Sequence, residues 1–565
     1  MNRLPSDTGP PIDSEDTTTD DPITPEPKTR GALYPRVFVP AAGIILALII
    51  AAMVFAEPAT VLMGAVNDWI TTTIGWYYVL LVAGFIIVSL SFGLSRFGRI
   101  KLGPDDSKPE FSRMSWFAML FSAGMGIGLV FWGVAEPLNH FATPPYSGAD
   151  TAQTEAAARD SMLAVFMHWG IHPWAIYVVI GLAVAYAVHR KGRPISIRWI
   201  LEPIFGDRVK GWIGDVVDVT AVVATLFGVA TSLGFGVKQI NAGLDYLGIA
   251  SAPADPEATN PIQILLIGII TGLALWSVVS GVKKGMKWLA NANMLMAAAL
   301  LLFVFIAGPT LFLFTDFFQS LGYYAQNIIG ATFGAETFPV DSGDAPGEFQ
   351  AAWTAFYWGW WISWAPFVGV FIARISRGRT IREFCLGVLL VPTAVSFLWF
   401  AIMGGSALWR ELHGGGGLIA ADGSVSTDFA LFQLLSDFPW SAGVSVITIL
   451  LITIFFVTSS DSGSLVIDML SSGGNAEPPT ATRVFWSLVE GAAAAALLLV
   501  GGMQALQTFS VVTALPFSLI MILGAVALWR ALSRDYDQSL LRRNGVKTVS
   551  APKQSGPEAE PELVG

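Results

Sequence analysis

Residues 353–364 read WTAFYWGWWISW, five tryptophans and a tyrosine in a stretch without charge. A second group, Trp169, Trp174 and Tyr177, lies in the apolar segment HWGIHPWAIY. Trp and Tyr usually mark the two faces of a membrane span, but these sit within apolar sequence. At about 100° per residue, Trp169, Trp174 and Tyr177 fall within one half of their helix, and Trp358, Trp361 and Trp364 on one arc of theirs. Two such faces opposed would make a cage. Indole faces in a low-dielectric site hold a quaternary ammonium by cation–π attraction, worth about 2 kcal/mol or more when desolvated, and hold an anion poorly. Interfacial anchoring is the competing use. It suits Trp353 and Tyr357, near the outer start of the segment, better than Trp361 and Trp364.

Two further stretches carry polar chemistry. SAGMGIGL, residues 122–129, places Gly124, Gly126 and Gly128 within five residues, each weakening a helix by about 1 kcal/mol relative to Ala. A membrane span tolerates this where freed backbone lines a cavity. Broken spans then supply N–H groups for a carboxylate and carbonyls for a cation; close packing through small residues is the alternative. FFVTSSDSGS, residues 455–464, sets Thr458, Ser459 and Ser460 beside Asp461. Their hydroxyls suit Na⁺, or they bond back to the preceding turn. Asp461 is a functional candidate as an acid in a span, and its place toward the cytoplasmic end equally suits pairing with Arg or Lys. Glu136, before a proline, reads as a cap or an ion-pair member. No Cys/His/Glu cluster stands at metal-ligand spacing. No GxxxxGK[ST] loop points to ATP, no nucleophile–base arrangement points to an enzyme, and nothing points to nucleic acid.

The elements that must position these residues are membrane helices. The chain has 565 residues, 53% hydrophobic and 13% charged, with mean hydropathy +0.60, against roughly 25% charge in soluble domains. Apolar segments of about 20 residues recur near 37–56, 76–95, 116–139, 161–188, 215–243, 262–280, 288–308, 351–373, 383–409, 440–470, 480–500 and 505–530, making about twelve. Lys and Arg cluster in alternate loops: Arg96 to Arg113, Arg190 to Lys210, Lys283 to Lys287, Arg374 to Arg382, and after Arg530. That alternation predicts both termini in the cytoplasm. Residues 1–35 read as a disordered acidic tail with no cleavable signal peptide. Residues 309–330 read as an amphipathic helix on the outer face. The single cysteine, Cys385, reads as a buried inert thiol.

SAGMGIGLVFWGVAEPL, HWGIHPWAIY, FYWGWWISWAPFVG and FFVTSSDSGS, in this order and spacing, resemble the betaine/carnitine/choline transporter family over about residues 35–530, most of all its sodium-coupled glycine betaine symporters. The resemblance implies an all-α polytopic membrane protein: two peripheral helices within 36–115, then two inverted five-helix repeats at 116–308 and 351–530. The outer helix and loop would be 309–350, and a cytoplasmic tail 531–565. It implies an aromatic box of Trp169, Trp174, Tyr177 and Trp361, with Trp360 and Trp364 on the substrate path and Gly124, Met125, Gly126, Ile127 and Gly128 beside the substrate. It implies one sodium site from Ser122 and Met125 backbone oxygens with Phe455, Thr458 and Ser459, and a second from Thr225 and Phe367. Val229 stands where the sodium-coupled relatives have a second threonine, so the second ion loses an oxygen. A homotrimer in the bacterial cytoplasmic membrane is also implied. The tail mixes Arg with Asp and Glu rather than forming a long basic helix, so osmotic activation is not strongly implied.

The leading reading is a symporter importing a zwitterionic quaternary ammonium solute, glycine betaine above others, with Na⁺ as coupling ion and no cofactor. Ectoine, proline, carnitine or choline are alternative cargoes within that class. A channel or a non-transporting membrane osmosensor is the alternative outside it.

Overall fold

Long uncharged runs of Ala, Leu, Ile, Val and Met have few solutions in hydrocarbon, because every backbone N–H and C=O must be satisfied inside the segment. The computed structural model describes residues 33–124, 126–253, 255, 258–280, 283–334 and 347–543, and it adopts the helical solution throughout. Among the described residues there is no strand, only the isolated bridges Lys101–Thr380 and Ile419–Val425.

In chain order the helices are α1 Pro35–Val54, α2 Ala56–Asp68, α3 Ile74–Leu94, α4 Arg113–Gly124, α5 Ile127–Ala142, α6 Glu155–Trp169, α7 Ile171–Ala185, α8 Glu202–Phe205, α9 Trp212–Tyr246, α10 Pro261–Ser280, α11 Lys283–Ala307, α12 Thr310–Thr332, α13 Ala355–Ile375, α14 Ile381–His413, α15 Ala430–Leu435, α16 Ser441–Ser471 and α17 Thr480–Arg543. Nine described helical stretches are long and apolar enough to cross a membrane. α17 counts once among them, although non-helical Gly501 and Gly502, the latter at φ 56°, divide it into two lengths. The α4–α5 pair and the Trp-rich α13 fall outside that count. With them and the second half of α17, the layout reaches the number of segments expected from the sequence.

One expected boundary moves. The second span does not begin near residue 76: α2 continues through a π-helical turn, Trp69–Thr73, into α3. Ala, Val, Leu and Met sustain the helix, while Glu57, Asn67 and Asp68 interrupt the apolar run that hydropathy reads. None of α2 is buried. The expected acidic tail 1–35 and the far C-terminal tail lie almost wholly outside the described residues. The helix of α17 runs on to Arg543, held near its C-terminal end by Asp535, which pairs with Arg190 at 2.8 Å and Lys191 at 2.7 Å. Cys385 is buried, with its Cβ 2.9 Å from where a Cβ on Gly93 would lie.

Helix breaks and close approaches position the centre. α4 and α5 are separated by an extended Gly126 (φ −141°, ψ −171°). α6 and α7 are separated at Gly170 (φ −94°, ψ −132°), where a Cβ would meet the Phe166 carbonyl at 2.3 Å. α13 packs against α7, α9 and α17. A Cβ on Gly369 would lie 2.6 Å from Ile180, and one on Gly359 would lie 2.8 Å from the Val511 Cα. Small residues let the backbones come this close, so α13 and its tryptophans stand in the middle of the bundle.

Candidate substrate and ion sites

α13 presents Tyr357, Trp360, Trp361 and Trp364 to the interior, and all four are buried. Trp360 and Trp361 stack at 4.6 Å with 15° between planes. Trp169, the last residue of α6, stands edge-on to Trp361 at 4.9 Å and to Trp360 at 6.3 Å. Gly128 lies beneath the ring edges: a Cβ there would be 2.4 Å from Trp360 and 3.2 Å from Trp169. Gly126 is looser, its hypothetical Cβ 3.6 Å from Trp364. The glycines of the broken span therefore give the indoles room. Gly124 closes α4, Met125 lies outside the described residues, and no side-chain description covers Ser122.

The indole N–H groups fix the rings. Trp361 donates to the His168 carbonyl at 3.0 Å, near the break at Gly170. Trp364 donates to the Gly228 carbonyl of α9 at 2.8 Å, and Trp360 donates to the same oxygen at 3.4 Å. Trp174 and Tyr177 form a separate edge-on pair at 5.4 Å on α7. Among the described ring contacts none joins that pair to Trp169, Trp360 or Trp361. The structure thus brings Trp169, Trp360 and Trp361 together with Tyr357, and sets Trp174 and Tyr177 one helix break away.

Glu136 is the organiser that sequence reasoning missed. It is fully buried on α5. Its Oε2 accepts from Trp169 Nε1 at 2.6 Å and from the Tyr357 hydroxyl at 2.5 Å. Its Oε1 meets His168 Nδ1 at 2.7 Å and His140 Nε2 at 3.3 Å. Of the two readings offered for this residue, cap or ion-pair member, the structure takes the pairing one, with His140 and His168 as partners. Glu136, His140 and His168 bring ligand-type atoms within 4.8 Å of one another, a cluster that sequence spacing did not announce. Four hydrogen bonds use the two oxygens as a scaffold for the aromatic residues. The i,i+4 spacing of Glu136 and His140 was visible in the sequence; the reach to His168, Trp169 and Tyr357 was not.

The hydroxyl segment lies on α16. Phe455 is buried, and Thr458 and Ser459 are partly buried. Thr458 donates to the Ile454 carbonyl at 2.8 Å, which occupies its hydrogen and leaves lone pairs for a cation. Asp461 resolves toward pairing: Arg483 of α17 binds it at 2.7 Å. Thr225, on α9, is fully buried with no partner for its Oγ1, unlike Thr231, which bonds the Phe227 carbonyl at 2.9 Å. Phe367 packs on Trp364 at 5.5 Å, and Trp364 reaches α9 at Gly228, one turn from Thr225. Val229 offers only methyl groups, with Cγ2 3.1 Å from where a Cβ on Gly463 of α16 would stand.

A polytopic helical bundle with broken helices around a buried aromatic cluster is the architecture of a membrane transporter. The betaine/carnitine/choline family transporter profile matches residues 36–537, and the chain belongs to that family. It is 52% identical over 508 residues to an uncharacterized transporter of Mycobacterium tuberculosis, covering 89% of this chain and 83% of that one. It is 46% identical over 468 residues to a glycine betaine transporter of Bacillus subtilis, covering 83% and 88%. It is 39% identical over 536 residues to a high-affinity choline transport protein of Escherichia coli, covering 94% and 76%. The chain is therefore a multi-pass membrane transporter and not an enzyme.

Proposed function

We propose that this transporter imports a zwitterionic quaternary ammonium solute, glycine betaine first among them, by Na⁺-coupled symport with alternating access. The observation that carries the reading is the buried cluster of Trp169, Trp360 and Trp361, packed over Gly128. Rigid π faces suit a trimethylammonium, and the backbone freed between α4 and α5 suits a carboxylate. Trp174 and Tyr177 belong to the same box once the two faces close on substrate. Na⁺ binds the segment of Phe455, Thr458 and Ser459 with backbone oxygens of Ser122 and Met125. Thr225 and Phe367 mark a second, weaker position. One charge falling through 100 mV yields about 2.3 kcal/mol, a sufficient drive. The alternation of basic loops supports cytoplasmic termini in a bacterial cytoplasmic membrane.

Uptake of labelled glycine betaine, choline, carnitine, ectoine and proline into proteoliposomes, with and without a Na⁺ gradient, tests this reading. Concentrative betaine uptake that needs the gradient is expected; uptake indifferent to Na⁺ would overturn the coupling. Trp361→Leu keeps an apolar span but removes a π face. Betaine affinity should fall about ten-fold or more, a loss of at least about 1–2 kcal/mol. Wild-type affinity in a correctly inserted variant would remove Trp361 from the site.

The same reading includes a homotrimer. On α12, Leu311, Phe314, Phe318 and Ile329 are exposed while Leu313, Ser320 and Tyr324 are buried, so one apolar face lacks protein cover. Mass measurement in mild detergent should give three chains, and Phe314→Ser with Phe318→Ser should shift the population toward monomer. A wild-type protein found only as monomer would count against it.

A further inference from the structure

A carboxyl buried in hydrocarbon needs a compensating group, and one in this bundle has half of what it needs. Glu490 lies on α17 in the run LVEGAAAAALLLV and is fully buried. Its Oε2 accepts from the Ser460 hydroxyl of α16 at 3.0 Å. Its Oε1 has no hydrogen-bond partner. A Cβ on Gly463 would stand 3.1 Å from that oxygen and 3.1 Å from Val229 Cγ2, so the free oxygen borders the space beside a glycine of α16 that a methyl of α9 also borders.

The charged groups around it are engaged or distant. On α17, Arg483 is bonded to Asp461 of α16 at 2.7 Å. Asp468 of α16 accepts from Thr482 at 2.8 Å and Ser472 at 3.4 Å. On α9, Asp215 and Asp218 pair with Arg198, and Lys238 and Asp245 lie more than two turns beyond Val229. α10 carries no charged residue, and α1 only Arg36 in its first turn. Arg483 keeps a buried Nε without a partner two turns before Glu490, yet no hydrogen bond or ion pair joins a cation to Glu490 among the described residues.

An unpaired carboxylate here would carry a large desolvation penalty. It can be relieved by a metal cation or by a proton. Na⁺ recovers its hydration energy only from several oxygens, and the one hydrogen-bond partner of this carboxyl is the Ser460 hydroxyl, with a Val229 methyl across the space beside Gly463. A proton needs one oxygen. The geometry points to Glu490 as a proton-binding site, occupied in this conformation. When the proton leaves to water on the side to which the bundle opens, a negative charge is stranded beside Ser460. Ser460 adjoins Thr458 and Ser459, so the charge is felt by the segment proposed to bind Na⁺. That consequence rests on the proposed symport, while the proton site itself does not. As pH rises, the occupied form is lost and transport falls.

The test has two readouts on the full-length protein. Infrared titration of reconstituted protein should show a protonated carboxyl C=O band that disappears on alkalinisation, shifts in Glu490→Asp and is missing in Glu490→Gln. This measurement needs no transport and decides the site even if betaine is not the cargo. Uptake at fixed Na⁺ gradient and voltage should fall about ten-fold across the alkaline limb in the unmodified protein, following loss of the bound proton, and that limb should be absent in Glu490→Gln. A carboxyl band unchanged by both substitutions, or an alkaline limb retained in Glu490→Gln, would overturn the proposal.

Discussion

Glu136→Gln should lower the melting temperature of the solubilised protein by several degrees and weaken betaine binding about thirty-fold or more. Trp169 and Tyr357 both donate to one oxygen of Glu136, and His168 and His140 face the other. An amide keeps one acceptor oxygen and turns the other position into a donor. Placed at Oε2 the amide N–H₂ faces the Trp169 N–H, which can only donate, and placed at Oε1 it requires both imidazoles to present acceptors; a donor left unmatched in a dry site costs about 1–3 kcal/mol. The strain falls on Trp169 and Tyr357, whose rings sit 5.6 Å apart beside the Trp360–Trp361 stack. Binding must restore the assembled cluster, so part of the cost appears in affinity. Loss of about 2 kcal/mol corresponds to roughly thirty-fold. His140→Asn, which removes the longest of the four contacts to Glu136, 3.3 Å, and ring packing on Trp353 and Phe349 but leaves the carboxylate in place, should be several-fold milder. Betaine titrations followed by tryptophan fluorescence, with melting curves on the same samples, check both. Wild-type affinity and stability in Glu136→Gln would show that the aromatic cluster is held by ring packing alone.

What could be read from the sequence was what local pattern dictates. Apolar length gave the spans, and Gly124, Gly126 and Gly128 marked a break seen at the extended Gly126, where no hydroxyl or charge announces it. The crowding of Trp358, Trp360, Trp361 and Trp364 on one helix foretold a buried aromatic face, even though indoles depress hydropathy enough that α13 is not counted among the apolar spans. Inter-helix register was not legible. Helical periodicity assigns a face to Trp174 and Tyr177, but it cannot say that a break at Gly170 separates their helix from the one ending in Trp169, or that the two rings pair with each other. Glu136 reaches partners as far along the chain as Tyr357, and one acid before a proline carries no mark of that. Glu490 did carry a mark, an acid inside an alanine-rich apolar run, but its half-satisfied state needs Ser460 and Gly463 beside it.

Val229 sets the second expectation of large effect, within the proposed symport. Thr225 keeps a buried hydroxyl without a partner, so a cation near it would find one side-chain oxygen. Val229, one turn on, offers methyl groups and packs toward Gly463. Na⁺ given too few oxygens recovers little of its hydration energy. The unmodified protein should therefore couple one Na⁺ strongly, with a Hill coefficient for Na⁺ near ~1 and not ~2; each further ion would add about 2.3 kcal/mol of drive at 100 mV. Val229→Thr is nearly isosteric and places an oxygen one turn from Thr225. It should raise the Hill coefficient and lift the limiting accumulation ratio by more than about ten-fold. Threonine in a helix also bonds its own i−4 carbonyl, here that of Thr225, so the gain requires the hydroxyl's lone pairs and not its hydrogen, the arrangement Thr458 already shows. Reversal-potential measurements count the ions directly. Two Na⁺ per substrate in the unmodified protein would mean that a backbone carbonyl or a water completes the position, and Val229→Thr would then leave the stoichiometry where it was.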